Sequence, residues 1–388
     1  MSLYDRIAFP LQAPNPALQR PGQSSSSSSS FATEDKIRTL VDEYGQRDDL
    51  DEDEKMWLSR ECIARFLQAT KGNLPETRTR LKNCLSFRRS WNLYNPPANA
   101  VDVAPESPCG KEFLYGYSSK GQPVLYFYPN RSDTEVGERQ MRHTVYMLER
   151  TIDLMPPGIS NLCLIIDLAG KSRAPTSVAQ AKLFVEILGN HYPERLGSAV
   201  ILNLPWMVKK FLDLIFKFVD PVTKAKVSWE SSFVKDGLVP KSTALKDHGG
   251  DVPFVYNHDE YWPTLLQVAM DKRTRQKATW KALGGTVGIS EYDYKTIGAT
   301  STGAPSGSSS SSAPAQGQQQ PQLHIQTQLP TQTHARIGTS VSSAASSDGA
   351  TLHDSHGLND PDVHDGHLKQ VVHAEPGVLV DGVTQRVG

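Results

Sequence analysis

Few side chains in this sequence stand at the spacing a reaction needs. Gly170, Lys171 and Ser172 follow an apolar run and imitate the end of a phosphate-binding loop. The first glycine of that motif falls on Ile165, so the backbone cradle cannot form. There is no nucleophile elbow, no zinc-protease helix signature and no dinucleotide-binding glycine triplet. Of the 11 histidines, His143, His191, His248 and His258 are the ones that precede Tyr294, the last aromatic residue. The pairs His353/His356 and His364/His367 lack further ligands at preorganised spacing, so no metal site is expected. No catalytic residue is assigned, and an enzyme is the least expected class. Two polar strings stand out instead: His191–Gly197 (HYPERLG) before one apolar run, and Asp220–Lys226 (DPVTKAK) after another.

The elements that must position these strings read as follows. The chain has 388 residues, but the stretch after Tyr294 holds no Phe, Tyr or Trp and is rich in Ser, Gly, Gln, Thr and Pro. Such a segment buries too little apolar surface to offset its ordering entropy. Residues 1–30, with a serine run from Ser24 to Ser30, read the same way. Residues 31–95 read as a small helical lobe: Trp57, Ile63, Phe66 and Leu67 recur at helical spacing, as do Leu81, Cys84, Leu85 and Arg88, before Asn95–Pro97 stops the pattern. Asp48–Glu54, with six acids in seven residues, is a solvated loop or a helix start.

Beyond residue 110 the period changes. Gln122–Tyr128, Leu162–Leu168 and Ser198–Leu204 are apolar runs of strand length, separated by helical patterns over Arg139–Leu154 and Ser177–Gly189. Alternating strands and helices imply an α/β domain with a mainly parallel sheet, its central strands covered on both faces. Trp206–Val219 (WMVKKFLDLIFKFV) has helix length yet is apolar nearly all round, with Phe211, Leu212, Ile215, Phe216 and Phe218. A surface helix shows one stripe, so this one needs apolar contacts on two sides; taken alone, it reads as a buried core helix. A last helix over Tyr261–Ala282 carries Lys272, Arg273, Arg275, Lys277 and Lys281, either a membrane-facing basic surface or an ordinary helix end.

Net charge of −1 gives no footprint for nucleic acid. Four scattered cysteines without a C-x-x-C pair suit a reduced compartment, and neither a secretory leader nor a membrane span is apparent.

The two strings, the Asn203–Trp206 turn (NLPW) and the apolar helix between them resemble the CRAL-TRIO lipid-binding family in order and spacing. Trp57–Gly72 is similar to the family's helical N-terminal lobe, and Met147–Gly158 and Tyr256–Pro263 to its fungal phosphatidylinositol transfer proteins, in the branch linked to pleiotropic drug resistance and sterol homeostasis. The resemblance implies a fold: a disordered 1–30, a helical lobe over 31–95, a CRAL-TRIO domain over 96–283 with a helical gate, and a disordered tail over 284–388. It implies that the apolar helix is a gate over a lipid pocket, with Phe211, Leu212, Ile215, Phe216 and Phe218 on the gate and Leu162 and Leu164 on the pocket floor. It implies a phosphatidylinositol headgroup site at Lys71, Glu194, Thr223 and Lys226, with Lys226 near the phosphate, Thr223 giving a hydroxyl, and Glu194 accepting from inositol hydroxyls or positioning a lysine; taken singly, Lys71 and Lys226 read as solvated and Glu194 as the partner of Arg195 or another base.

Two departures from the family pattern matter. Leu162 and Leu164 replace hydroxyl residues that engage choline phospholipid, so phosphatidylcholine binding is expected to be weak and a sterol to be admitted in the freed volume. Gln68 and Thr70 replace arginines, leaving the phosphate cage less charged. The expected function is to bind phosphatidylinositol and transfer it between membranes, or to present it to a lipid kinase or decarboxylase. The alternative is a carrier or sensor of another hydrophobic ligand, sterol or haem. No cofactor beyond the lipid is expected. The expected setting is cytoplasmic, with transient contact to endoplasmic reticulum, lipid droplets or cell periphery. The tail is expected to be dispensable, so that a chain shortened near Tyr294 keeps lipid binding.

Overall fold

The computed structural model describes residues 2–11, 31–170, 178–219, 221–230 and 232–300, all within the compact unit Met1–Ser309. Lys171, Ser172 and the tail histidine pairs lie outside the described residues.

The chain opens with α1 (Leu3–Ala8), where Ser2 and Asp5 form a reciprocal capping box. Ile7 and Ala8 are buried, Tyr4 donates to Asp271 at 3.0 Å, and the Tyr117 hydroxyl donates to the Ile7 carbonyl at 3.0 Å. The reading of residues 1–30 as a structureless tail therefore does not hold for its first residues. Leu3, Tyr4, Ile7 and Ala8 repeat at helical spacing, a pattern too short to outweigh the composition around it.

The helical lobe comprises α2 (Glu34–Gly45), α3 (Glu52–Trp57), α4 (Arg60–Ala69) and α5 (Leu74–Ser90). Its core includes Leu40, Leu58, Ile63, Phe66, Leu67 and Leu81. The acidic run is a helix start: Asp51 caps α3 and accepts from the Glu54 amide at 2.8 Å.

After α6 (Pro96–Val103) come β1 (Glu112–Tyr117), β2 (Pro123–Phe127), α7 (Glu138–Asp153), β3 (Leu162–Asp167), α8 (Val178–His191), β4 (Leu196–Leu202), α9 (Trp206–Ile215), α10 (Pro221–Lys224) and β5 (Val227–Trp229). The five strands lie in chain order in one sheet, β1 antiparallel to β2 and the rest parallel. This confirms the α/β class with a mainly parallel sheet. The antiparallel edge β1 had no counterpart in the sequence reading, because its short aromatic run carries Gly116 at a bulge. The apolar helix stops at Ile215 and tightens into a 3₁₀ turn over Phe216–Phe218 ahead of Pro221, so it is shorter than Trp206–Val219.

Parallel crossovers are right-handed, and the strand order never reverses from β2 to β5, so α7, α8 and α9 fall on one face of the sheet. The other face carries Val124, Tyr126, Cys163, Ile165 and Val200 into the main core with Phe233, Val239 and Ala244. On the α7–α9 face Leu162 is sealed among Val145, Leu148 and Ile187, whereas Leu164 and Ile166 are only half-buried. The expectation of complete cover on both faces therefore fails over the second half of β3.

The long α11 (His258–Ala282) brings its basic residues back to the helical lobe. Arg273 and Lys277 reach Asp53 at 3.0 and 2.8 Å, and Lys281 reaches Glu52 at 2.8 Å. Three of the five bases, read as a membrane-facing surface or an ordinary helix end, are thus paired with the acidic run. The chain then returns to the lobe: Val287 joins its core, and α12 (Glu291–Thr300) buries Tyr294 against Met56 and Trp280. The reading of 284–388 as tail therefore begins too early. No helix among the described residues is long and apolar enough to cross a membrane, and none of them form a metal-type cluster.

Candidate functional site

The string Tyr192–Gly197 is a turn pinned on both sides of Glu194. Tyr192 is buried and its hydroxyl donates to Glu149 at 2.8 Å, inside a bidentate Arg88–Glu149 pair. Arg195 is buried and donates to the Ser160 carbonyl at 2.9 Å. Gly197 lets Gln122 and Asn161 approach, since a Cβ there would lie 2.2 Å from the Gln122 amide nitrogen. Between these anchors Glu194 takes a left-handed φ of 57° and stays half-buried. A non-glycine residue in that region costs on the order of 1–3 kcal/mol, and such strain concentrates at functional sites.

Lys226 follows α10, its amide bonded to the Thr223 carbonyl at 3.1 Å and its carbonyl accepting from Ala199 in β4 at 2.8 Å. That double anchor brings the Lys226 Nζ to 3.4 Å from the Glu194 carboxylate. Two of the four expected headgroup residues therefore meet, in the arrangement where Glu194 positions a lysine, and Thr223 lies in α10, three residues before Lys226. Lys71 is exposed on the turn after α4, at φ 51°, held by a bond from its amide to the Gln68 carbonyl. Thr70 turns inward, donating to the Phe66 carbonyl and meeting Thr77 at 2.6 Å, so it is occupied in the lobe.

A cavity of about 260 Å³ opens beside Glu194. Gln68, Arg65, Glu61, Ser160 and two residues of α12, Glu291 and Lys295, share its wall; Lys71, Thr223 and Lys226 are not among its lining. One buried carboxylate organises this junction. Glu291 accepts from Arg65 at 2.7 Å and from Ser59 at 2.8 Å, with Lys295 at 3.5 Å and Arg195 at 3.9 Å. Burial opposes its ionisation, but Arg65, Lys295 and Arg195 outweigh that and hold the carboxyl well below the usual range. Burial, and then Arg65, push Arg195 down to about 10. Glu61 completes the junction by accepting from the Glu291 amide at 2.6 Å, a carboxylate at the N-terminus of α12.

Sequence reasoning missed this cluster. Its signal was present in the Glu291/Lys295 pair four residues apart beside the last two tyrosines.

Of the expected pocket floor, Leu162 is sealed and Leu164 half-open. On the expected gate Phe216 is half-buried and meets the Trp229 ring at 5.1 Å; the side chains of Phe211, Leu212, Ile215 and Phe218 lie outside the described ones. The outward side of α9 shows Trp206 at 70 % exposure and Leu214 exposed as well.

Comparison with known proteins gives a consistent picture. Residues 108–250 match the CRAL/TRIO domain and residues 29–83 the CRAL/TRIO N-terminal domain. A CRAL-TRIO domain-containing protein of Schizosaccharomyces pombe is 39% identical over 266 residues, covering 68% of this chain and 26% of that protein. The phosphatidylinositol transfer protein PDR17 of Saccharomyces cerevisiae is 33% identical over 254 residues, covering 62% of this chain and 72% of that protein. Patellin-3 of Arabidopsis thaliana is 25% identical over 185 residues, covering 42% of this chain and 36% of that protein. The chain thus spans about a quarter of the S. pombe relative's length.

Proposed function

The chain belongs to the CRAL-TRIO family of lipid-binding and lipid-transfer proteins, and from that premise we propose that it binds phosphatidylinositol and carries it between membranes without chemical change. The observation that supports this most is the unsealed stretch of β3. Leu164 and Ile166 are half-buried apolar residues in the middle of a five-stranded sheet, on the face toward α9, and α9 leaves the apolar Trp206 and Leu214 exposed. An interior sheet face left open and apolar is what acyl chains would cover.

The energetics favour exchange at a membrane. Two acyl chains hold ~30 methylenes, and exposing them to water would cost on the order of 25 kcal/mol at about 0.8 kcal/mol each. Moving them from bilayer to a dry pocket is close to neutral once α9 swings against the lipid surface. Exposed Trp206, with Lys210 lying 5.2 Å over its ring, suits that interface. At the polar end Lys226, Thr223 and Lys71 would meet the phosphodiester and Glu194 the inositol hydroxyls. The cytoplasmic face of endoplasmic reticulum, lipid droplets or the cell periphery is the proposed place of exchange. Handing the lipid to a kinase or decarboxylase is a proposed use, with effects on sterol balance and drug resistance downstream.

The test is transfer of fluorescent phosphatidylinositol between vesicles, with native mass spectrometry to read the co-purified lipid. Glu194→Ala with Lys226→Ala is expected to cut transfer at least tenfold. Normal transfer by that double variant, or a purified protein carrying no phosphatidylinositol, would overturn the assignment.

A further inference from the structure

Three residues, Asn203, Leu204 and Pro205, join the end of β4 to α9, and the Pro205 carbonyl already accepts from the Lys209 amide at 3.0 Å. Proline fixes its own φ and restricts the residue before it. A swing of α9 away from the sheet is therefore taken up by the torsions of Asn203 and Leu204. One side chain holds both. The Glu230 carboxylate accepts from the Leu204 amide at 2.7 Å and from the Asn203 amide at 3.2 Å. Glu230 follows β5 directly, and its own amide donates to the Ile201 carbonyl of β4 at 2.9 Å, so the carboxylate is mounted on the sheet. Asn203 is also tied on its other side. Its side-chain amide donates at 2.7 Å to buried Asp167 at the end of β3, and the same carboxylate oxygen accepts from the Ala169 amide at 2.9 Å. Asn203 and Glu230 both sit at a left-handed φ of 51°. That region is unfavourable for residues other than glycine, so the contacts across the joint hold the backbone there.

We propose that Glu230 is a positioning residue for lipid exchange: its carboxylate holds α9 in the position seen here, and release of the Asn203 and Leu204 amides frees α9 to swing. The proposal rests on the carrier reading above and adds the residue that sets how readily the pocket opens. Opening replaces two charge-assisted hydrogen bonds with bonds to water. Glu230 and Asn203 are exposed, so water reaches both as they part and the hold is modest enough to be broken in each cycle.

The experiment is hydrogen exchange by mass spectrometry on the full chain, with vesicle transfer of fluorescent phosphatidylinositol measured alongside. Glu230→Gly removes the carboxylate at a φ that suits glycine, and Glu230→Gln keeps the shape and one acceptor oxygen. In Glu230→Gly, exchange across residues 203–215 is expected to quicken about tenfold, equivalent to about 1.4 kcal/mol, and in Glu230→Gln about threefold. Exchange in β3 and α11 should stay unchanged. The maximal transfer rate should rise in the same order, while the acceptor-vesicle concentration giving half that rate stays constant. A merely structural role would lower the melting temperature and quicken exchange in the sheet and α9 alike, and that result would overturn the proposal. So would a Glu230→Gln variant that matches the unaltered chain, since the change in Glu230→Gly would then belong to the glycine backbone. Transfer by the unaltered chain with the same rate in both variants removes this proposal alone. No transfer by the unaltered chain, with α9 exchange quickened in both variants, removes the carrier function alone and leaves the hold on α9 standing.

Discussion

Ending the chain after Leu283 should cripple the protein, whereas ending it after Thr300 should leave it intact. The shorter chain loses three things that the structure places in the interior. Val287 leaves the core of the helical lobe and Tyr294 leaves its contact with Met56 and Trp280, at roughly 1.5–3 kcal/mol for each buried side chain. Glu291 leaves Arg65 buried and uncompensated, a loss of about 3–5 kcal/mol for a broken buried pair. The total, roughly 6–11 kcal/mol, is comparable with the entire stability of a typical domain, about 5–15 kcal/mol. Glu291→Ala isolates the electrostatic part. At roughly 2 °C per kcal/mol for a chain of this size it should lower the melting temperature by about 6–10 °C. Thermal melts of the two shortened chains, the point variant and the full chain, together with lipid co-purification, decide the matter. A chain ending at Leu283 that melts within a few degrees of the one ending at Thr300 would refute both the packing role of α12 and the value given to the Glu291 cluster. A cut at Tyr294, expected from the sequence to be harmless, falls inside α12 and removes Lys295 while keeping Val287, Glu291 and Tyr294; it should melt between the other two chains.

Three other outcomes follow from single contacts. Burial raises the Glu149 carboxyl but Arg88 outweighs it and brings it down to about 2, from 4.5; the stability it contributes, about 3 kcal/mol, is complete above pH 4.5 and is lost as pH falls from there toward 2, so Arg88→Met should destabilise strongly at pH 7 and far less at pH 3 in denaturant titrations. Gly250→Ala would put a Cβ 2.0 Å from the Ala244 carbonyl oxygen, a clash with backbone, and should cost about 1–3 kcal/mol in urea unfolding. Glu194→Gly removes a left-handed non-glycine residue while deleting the partner of Lys226, so stability should stay within about 1 kcal/mol as vesicle transfer falls; a proportionate loss of both would assign Glu194 to structure alone.

Much of the architecture was legible because it rests on local pattern. The apolar runs of β2, β3 and β4 and the helical period of α7 and α11 appear in the sequence at nearly their observed limits, since periodicity and turn residues are short-range signals. What escaped depends on partners distant in sequence. Composition dismisses residues 1–30 and 284–388, yet Ile7 and Val287 are buried because β1 and the helical lobe offer them apolar surface. The bases of α11 suit a membrane until the structure sets Asp53 and Glu52 against them. The candidate site divides along the same line. Glu194, Thr223 and Lys226 lie on strings whose order is visible, and the fold joins Glu194 to Lys226 at 3.4 Å. Arg65, Arg195 and Glu291 are 226 and 96 residues apart from the arginines to the acid, and nothing in any one segment announces that two guanidinium groups share a carboxylate. The cavity beside Glu194 draws its wall from α4, the Gly158–Ser160 stretch and α12, segments far apart in the sequence.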